Sequence, residues 1–332
     1  MDADISHHRQ SGGFQNPWPH ARPHGLGEFL KWRLRDRAKG PRRPIPPPAS
    51  FTRAAPTFLV PAAPASLCTV TWVGHTSFLV QLGGKNILLD PVWSNRASPI
   101  SFLGPKRWVP PAVQFDTLPP IEVVVISHDH YDHLDRPTVQ RLVAAFPEAR
   151  WVAPLGVGEW LRRHHARVHA ELDWWQTTTI EKVTLACTPA QHFSGRNAVG
   201  RNTTLWSGWV LRHDMHTMFF AGDTAYHPEF SAIATRYGPF DAVILPIGAY
   251  EPRWFMGPVH MNPDDAVQAY ADLVAPFPDH PCTFIASHWG TFKLTDEPMN
   301  EPPRLTREAW QRHGFTDDRL WIAQHGETKR LP

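Results

Sequence analysis

Cysteine is scarce. The 332 residues hold three, Cys68, Cys187 and Cys282, far apart and with no CxxC pair. That spacing gives no disulfide framework and reads as reduced, buried thiols of a cytosolic protein. An excess of one charge is also missing. The formal net charge is +2, too balanced to draw in a nucleic acid on electrostatics alone, and no basic run or RNA-binding segment flanks the motifs below. No apolar stretch approaches the roughly 18 residues of a membrane span. The opening MDADISHHRQSGGFQNPWPH has no apolar core and is not a secretory signal. What is present is a chain with 42% apolar residues, enough for a substantial core in one large domain or two ordinary ones.

Proline marks the organisation. Residues 1–66 read as a Pro/Arg-rich extension, because 41-PRRPIPPPAS-50 and 61-PAAPAS-66 remove backbone donors and block regular structure. Within it, 26-LGEFLKWRLRDR-37 predicts one short amphipathic helix, with Leu26, Phe29, Leu30 and Leu34 on one face and Lys31, Arg35 and Arg37 towards the other. From residue 67 to 332 the pattern is dense. Strands are predicted at 69–74, 76–82, 85–90, 122–127, 150–154, 182–188, 204–211, 217–222, 240–248 and 282–287, with Gly83-Gly84 turning a tight hairpin. Helices are predicted at 137–146, 262–273 and 306–314, the second with an Asn cap, a following Pro and two Asp in its first turn. Strands mixed with helices predict an α/β sandwich, sheets inside and helices outside.

The stretch 121-IEVVVISHDHYDHLD-135 runs a buried-looking strand into His128, His130, Asp132 and His133. Alternation along a strand points His128 and His130 the same way as the strand gives out, with Asp132 and His133 following at the turn. These are too many ligands for one catalytic ion that must keep an open position, and a natural number for two. Three later strands also end in a ligand-type residue: His192 in 188-TPAQHFSG-195, Asp223 in 219-FFAGDTAYH-227 and His288 in 284-FIASHWGTF-292. The expected partition is His128, His130 and His192 on one ion, Asp132, His133 and His288 on the other, and Asp223 between them. Imidazole with carboxylate suits two Zn2+ per chain, and also allows manganese or iron.

This constellation resembles the metallo-β-lactamase superfamily over nearly all of 68–332. It is similar, more closely, to the N-acylphosphatidylethanolamine-hydrolysing phospholipase D branch, on 14-FQNPWP-19, 96-RASPISFLGPKRW-108, 172-LDWWQ-176, 236-RYGPFDAVILPIGAYEPRWFM-256, 288-HWGTFKL-294 and 325-HGE-327. The resemblance implies a four-layer αβ/βα sandwich carrying the N-terminal extension and two zinc ions. It also implies release of an N-acylethanolamine from a membrane phospholipid, leaving phosphatidic acid. It assigns the metal to His128, His130, Asp132, His133, His192, Asp223 and His288. It makes Asp132 a catalytic ligand that orients the nucleophile, and His260 in 257-GPVHMNPDDA-266 an additional active-site histidine.

Other residues are placed by proximity. Tyr131, inside the motif, is expected at the substrate entrance, and Arg196 at the phosphate. Lys293 is weighed between phosphate and solvent. His75 and Asp90 are each expected either to be structural or to orient a ligand, His325 to be structural or to orient a ligand without binding metal, and His164 and His165 to end a solvated helix. Two departures bear on the substrate. Gly195 and Arg196 stand where the branch has a lysine soon after the third histidine ligand, and Val259 stands where it has an amide. The expected partners are a phospholipid, a membrane surface touched peripherally and a second copy of the chain as a homodimer, with no nucleic acid. The expected location is cytoplasmic, at a membrane. The alternative is another hydrolase of the same fold, a lactonase or a nucleotide phosphodiesterase.

Overall fold

The computed structural model describes residues 6–18, 21–36, 45–196 and 200–332, apart from the side chains of Leu26, Arg33, Arg35 and Asp36. Among these, fourteen strands form two seven-stranded sheets. The first runs β14 (Thr328–Arg330), β1 (Thr69–Gly74), β2 (Ser77–Leu82), β3 (Lys85–Leu89), β4 (Val123–Val125), β5 (Arg150–Pro154), β6 (Arg167–Leu172). The second runs β13 (Leu320–Trp321), β12 (Thr283–Ser287), β11 (Ala242–Pro246), β10 (His216–Phe220), β9 (Gly208–His213), β8 (Val183–Thr188), β7 (Thr177–Ile180). The β3–β4–β5–β6 and β10–β11–β12–β13 pairings are parallel.

Strand alternation builds the layers. Ile87 and Leu89, Val123 and Val125, and Ala242 and Ile244 face the partner sheet and join Trp72, Trp206 and Trp209 in one inter-sheet core. Leu88 and Val124 point outward, where Val139, Leu142, Val157 and Leu161 of two helices cover them. Those helices are Arg136–Ala145 and Val157–Arg163. Val243 and Leu245 are covered by helices Phe230–Tyr237, Pro263–Val274 and Pro302–Arg312. A strand buried on both faces needs an unbroken apolar run, which is why β4 and β11 read VVV and AVILP. The result is helix, sheet, sheet, helix, the expected four-layer sandwich.

Four expectations are corrected. The helix over 262–273 keeps its Asn262 cap, whose side chain accepts from the Asp265 amide, but the last helix begins at Pro302, four residues early. Strands β6, β7, β13 and β14 and helices Val157–Arg163, Phe230–Tyr237 and Arg253–Met256 were not read from the sequence; β6 and β7 are sheet edges with half-exposed polar residues and little apolar signal. Residues 26–36 form a short α-helix, Leu26–Leu30, continued by a wider π-helical turn, Lys31–Asp36. Its buried anchor is Trp32, while Phe29, Leu30 and Leu34 are 40%, 44% and 72% exposed. Arg37 and residues 41–44 of the proline-rich stretch lie outside the described residues.

The extension is also no loose appendage where it is described. Residues 6–18 lie against 172–176, 190–194 and 202–206, through the Phe14 amide on the Asn202 carbonyl (2.8 Å) and His7 on Asp173 (2.6 Å). Trp32 stacks on Phe255 and donates to Asp296.

Candidate metal centre

The seven residues expected to bind metal come from four places that the sheets bring to one edge. β4 ends at Val125 and delivers His128, His130, Asp132 and His133. β8 ends at Thr188 before His192, β10 at Phe220 before Asp223, and β12 at Ser287 before His288. All lie at strand ends, beyond the last ladder bonds, so their side chains are free of the sheet and face the crevice. Backbone strain gathers here: His75, Asp90 and His288 have φ of 57°, 38° and 60°, a region costly for residues with a Cβ and held only by surrounding structure.

Two clusters form. In one, His130 Nδ1 is 2.9 Å from His128 Nε2 and 3.1 Å from His192 Nε2. In the other, His133 Nε2 and His288 Nε2 lie 3.1 and 3.0 Å from Asp223 Oδ2, and each is 3.6 Å from Asp132 Oδ2. Asp223 Oδ2 also lies 3.9 Å from His192 Nε2, which puts it between the clusters as the spacing expects.

The residues fit divalent cations. Three imidazole nitrogens crowded at about 3 Å cannot all give protons to one another, and a common cation at about 2.0–2.1 Å from each satisfies them together. His133 Nε2, His288 Nε2 and Asp223 Oδ1 are buried without a hydrogen-bond partner among the described residues, an expensive arrangement for polar atoms that a bound cation would relieve.

The far sides of three of the rings are held. His133 Nδ1 meets the buried Asp90 carboxylate at 2.7 Å, and Asp90 also takes the Ser127 amide and hydroxyl. A carboxylate only accepts, so Nδ1 carries the proton and Nε2 presents its lone pair. Ser127 Oγ lies 2.9 Å from His128 Nδ1. His192 Nδ1 is 2.8 Å from the Val259 carbonyl; a backbone group does this work, so the missing amide at 259 removes nothing from it. His75 Nε2 donates to Asp132 Oδ2 at 2.9 Å.

Electrostatics separates the clusters. Burial, then the neighbouring rings, pushes His128 well below the usual imidazole range and His192 to about 3. Burial lowers His130 to about 4. These rings stay neutral and ready to bind metal. Burial also opposes charge on His133 and His288, but Asp223 and Asp132 outweigh it, lifting His133 well above its usual value and His288 to about 9. Burial likewise opposes charge on Asp223 and Asp132, yet the imidazoles hold both carboxyls well below their usual range. The second cluster therefore pairs two ionised carboxyls with two imidazoles that favour the charged form, whereas the first holds neutral rings.

His260 is brought to the same edge. Its Nδ1 is 4.0 Å from Asp223 Oδ2 and has no hydrogen-bond partner. Burial pushes it well below the usual imidazole value.

A cavity of about 520 Å³ opens onto His130, Asp132, Asp223 and His260. Its walls are Phe193, Phe255, Met256, Val259 and Leu294, with His24, Phe29 and Trp32 from the N-terminal segment. Reasoning along the chain singled out Val259 as bearing on the substrate but missed Phe193, Phe255, Met256 and Leu294. Apolar residues scattered over separate loops carry no period, and the one available signal was the aromatic run RWFM at 253–256.

Two expected substrate residues do not face this cavity, and both are corrected. Arg196 Nη1 donates to the carbonyls of Asp129 and Leu134 at 2.6 and 2.7 Å, and its guanidinium stacks on Tyr131 and Trp160. The Tyr131 hydroxyl donates to the Arg196 carbonyl. The pair braces the 128–134 loop from outside, because carbonyls left bare by the loop attract a guanidinium more strongly than open solvent does. Lys293 turns to the Glu297 carbonyl. His325 lies under Trp72 and meets Thr291, away from the clusters. His164 folds onto Trp160 at the end of its helix.

Comparison with known proteins gives the following. A β-lactamase superfamily domain model matches residues 85–289. An uncharacterized protein of Mycobacterium tuberculosis is 42% identical over 86% of this chain and 74% of its own. The N-acyl-phosphatidylethanolamine-hydrolyzing phospholipase D 1 of Caenorhabditis elegans is 40% identical over 72% of this chain and 68% of its own. The mitochondrial N-acyl-phosphatidylethanolamine-hydrolyzing phospholipase D of Saccharomyces cerevisiae is 31% identical, over 80% and 56%. Among solved structures, an isothiocyanate hydrolase from Delia radicum gut bacteria superposes with a TM-score of 0.61 at 22% identity, over 79% of this chain and 99% of its own.

Proposed function

Because the chain belongs to the β-lactamase superfamily, in the branch of the N-acylphosphatidylethanolamine-hydrolysing phospholipases D, and is a metal-dependent hydrolase, we propose that it cleaves N-acylated phosphatidylethanolamine to an N-acylethanolamine and phosphatidic acid. The observation that carries this reading is the apolar cavity whose floor is the ligand cluster. An acyl chain finds hydrophobic walls there, and a phosphodiester finds the ligand-bearing end.

In this reading two zinc ions are held by His128, His130 and His192, and by Asp132, His133 and His288, with Asp223 shared. When bound, such ions supply Lewis acidity toward a phosphoryl oxygen and make water nucleophilic at neutral pH. The chain's residues do the rest. Asp132, fixed by His75, orients the attacking water. Water attacks phosphorus, the bond to the headgroup oxygen breaks, and that oxygen leaves with the N-acylethanolamine. His260 is neutral and stands at the cavity floor, so it can accept the proton that the attacking water loses and pass it to the departing oxygen. Phe193, Phe255 and Val259 keep the acyl chain from water.

No helix among the described residues is long and apolar enough to cross a membrane. Lipid is reached instead from the surface. Leu30, Leu34 and Trp254 lie exposed on and beside the helix that walls the cavity, with Lys31 between them, as in an interfacial helix.

Purified protein given N-acylphosphatidylethanolamine should release both products, lose that activity to chelator, and contain about two ions per chain. Heavy oxygen from solvent should enter phosphatidic acid and not the alcohol, with no transfer to added primary alcohols. Label in the alcohol would reject attack at phosphorus. Inactivity on this lipid with rapid opening of a lactone would move the function to another hydrolase of the fold.

A further inference from the structure

We infer that Asn16, carried by the N-terminal strap, is a positioning residue for His192, so that the strap is part of the metal centre rather than packing around it. The inference rests on His192 as a metal ligand and not on the identity of the substrate.

His192 stands beyond the end of β8, where the ladder no longer orders its backbone. Asn16 supplies that order. Its Nδ2 donates to the His192 carbonyl at 2.8 Å and to the Ala21 carbonyl at 2.7 Å. Its Oδ1 accepts from the His192 amide at 3.2 Å and from Trp206 Nε1 at 3.1 Å. One amide thus clasps both the N–H and the C=O of the candidate ligand. All four of its hydrogen-bonding positions are used, the full capacity of the group. The ring is held separately by Nδ1 on the Val259 carbonyl. Backbone and ring together leave Nε2 a single direction, 3.1 Å from His130 Nδ1.

Asparagine is the residue this geometry asks for. A carboxylate of the same shape would keep the two acceptor roles but set negative charge against two carbonyl oxygens. Glutamine is one methylene too long. The strap that bears Asn16 is itself pinned close. Phe14 is buried in the inter-sheet core. A side chain at Gly13, whose φ is +78°, would lie 2.4 Å from the Asn202 carbonyl oxygen, so only glycine lets the strap approach the loop that follows His192. At the other end, His7 and His8 each meet one oxygen of Asp173, at 2.6 and 2.7 Å, and His7 stacks on Trp174. Those two imidazoles and one carboxylate satisfy each other and act as the strap's fastener.

The test needs no lipid. Asn16→Ala, Asn16→Asp and the control Gln15→Ala, an exposed neighbour on the same strap, are loaded with Zn2+ or Co2+ and titrated against a chelator. Turnover and thermal melts are recorded alongside. The expected result is that Asn16→Ala holds one of its ions roughly 10–100-fold more weakly, the effect usual when a group that orients a ligand is removed, while the other ion is retained. The cobalt spectrum should shift, and kcat should fall with KM little changed. Asn16→Asp should behave at least as badly, and it serves as the near-isosteric variant should Asn16→Ala not fold. Gln15→Ala should match the parent in all readings. Variants that lose only thermal stability, with both ion affinities and kcat within about twofold of the parent, would overturn the proposal and leave Asn16 a fastener. Equal loss of both ions would overturn it too, because the effect would then be general unfolding of the site.

Discussion

At the residue scale, His260 separates chemistry from ligation. It stands 4.0 Å from Asp223 Oδ2, against 3.0 and 3.1 Å for His288 and His133, and it borders the cavity that the ligand rings His128, His133, His192 and His288 do not line. Its longer distance to Asp223 and its place on the cavity wall, not its neutrality, which His128, His130 and His192 share, suit it to proton transfer rather than metal binding. His260→Ala should keep both ions and lose rate by on the order of 10²–10⁴-fold, the usual cost of removing one acid–base group. Metal analysis and turnover on the same preparation decide it: loss of an ion together with the rate would make His260 a ligand. Much of this site was legible residue by residue. His, Asp and Asp-His at strand ends are types rarely buried without a purpose, so the seven candidate ligands stood out. Tyr131 and Arg196 did not read correctly, because closeness in sequence to a ligand says nothing about which side of the loop a side chain takes.

At the scale of elements, the segment 26–36 shows how a helical pattern can be right and its packing face wrong. The leucine spacing gave a helix, and a helix is there. Trp32, not the leucines, makes the buried contact, since an indole fills the groove beside Phe255 and finds an acceptor in Asp296. Leu30 and Leu34 are left outward next to the mouth of the cavity. Leu30→Glu with Leu34→Glu should therefore weaken binding to anionic vesicles roughly tenfold or more, since each leucine moved from water into lipid is worth about 1–2 kcal/mol at partial insertion. Hydrolysis of a water-soluble diester should be unchanged. Vesicle sedimentation with the soluble assay beside it checks this, and full vesicle binding by the double variant would remove the helix from the membrane contact.

For the whole molecule, burial of histidine makes stability depend on pH. His227 is the clean case. It is 1% exposed, lies stacked between Trp18 and Phe230, and neither ring nitrogen has a hydrogen-bond partner. Burial alone pushes it down to about 3. Its folded value lies below the unfolded value near 6.5, so as pH falls through that range the unfolded chain takes up the proton first. Stability is present above about pH 6.5 and is lost below it. At pH 5 the loss from this one ring is about 2 kcal/mol. His227→Phe, which keeps the stacked shape, should melt closer to its pH 7 temperature at pH 5 than the parent does. Thermal melts of both proteins at pH 7 and 5, with and without chelator, measure the difference. An identical acid loss in the two would show that His227 takes its proton inside the fold.

The sequence by itself determined the class of the fold and the chemistry of its edge. Short, β-branched apolar runs such as VVV and AVILP fit strands covered on both faces, and metal-ligand residues at their ends gather where those ends meet. What the tertiary structure decided was direction and company. It turned Arg196 outward, opened Leu30 and Leu34 to solvent, assembled the cavity from loops with no common period, and set Asn16 against the backbone of a residue 176 positions away. Local pattern reports which face of an element is apolar. It carries no record of which distant backbone group will lack a partner once the sheets have stacked, and that need is what placed these side chains.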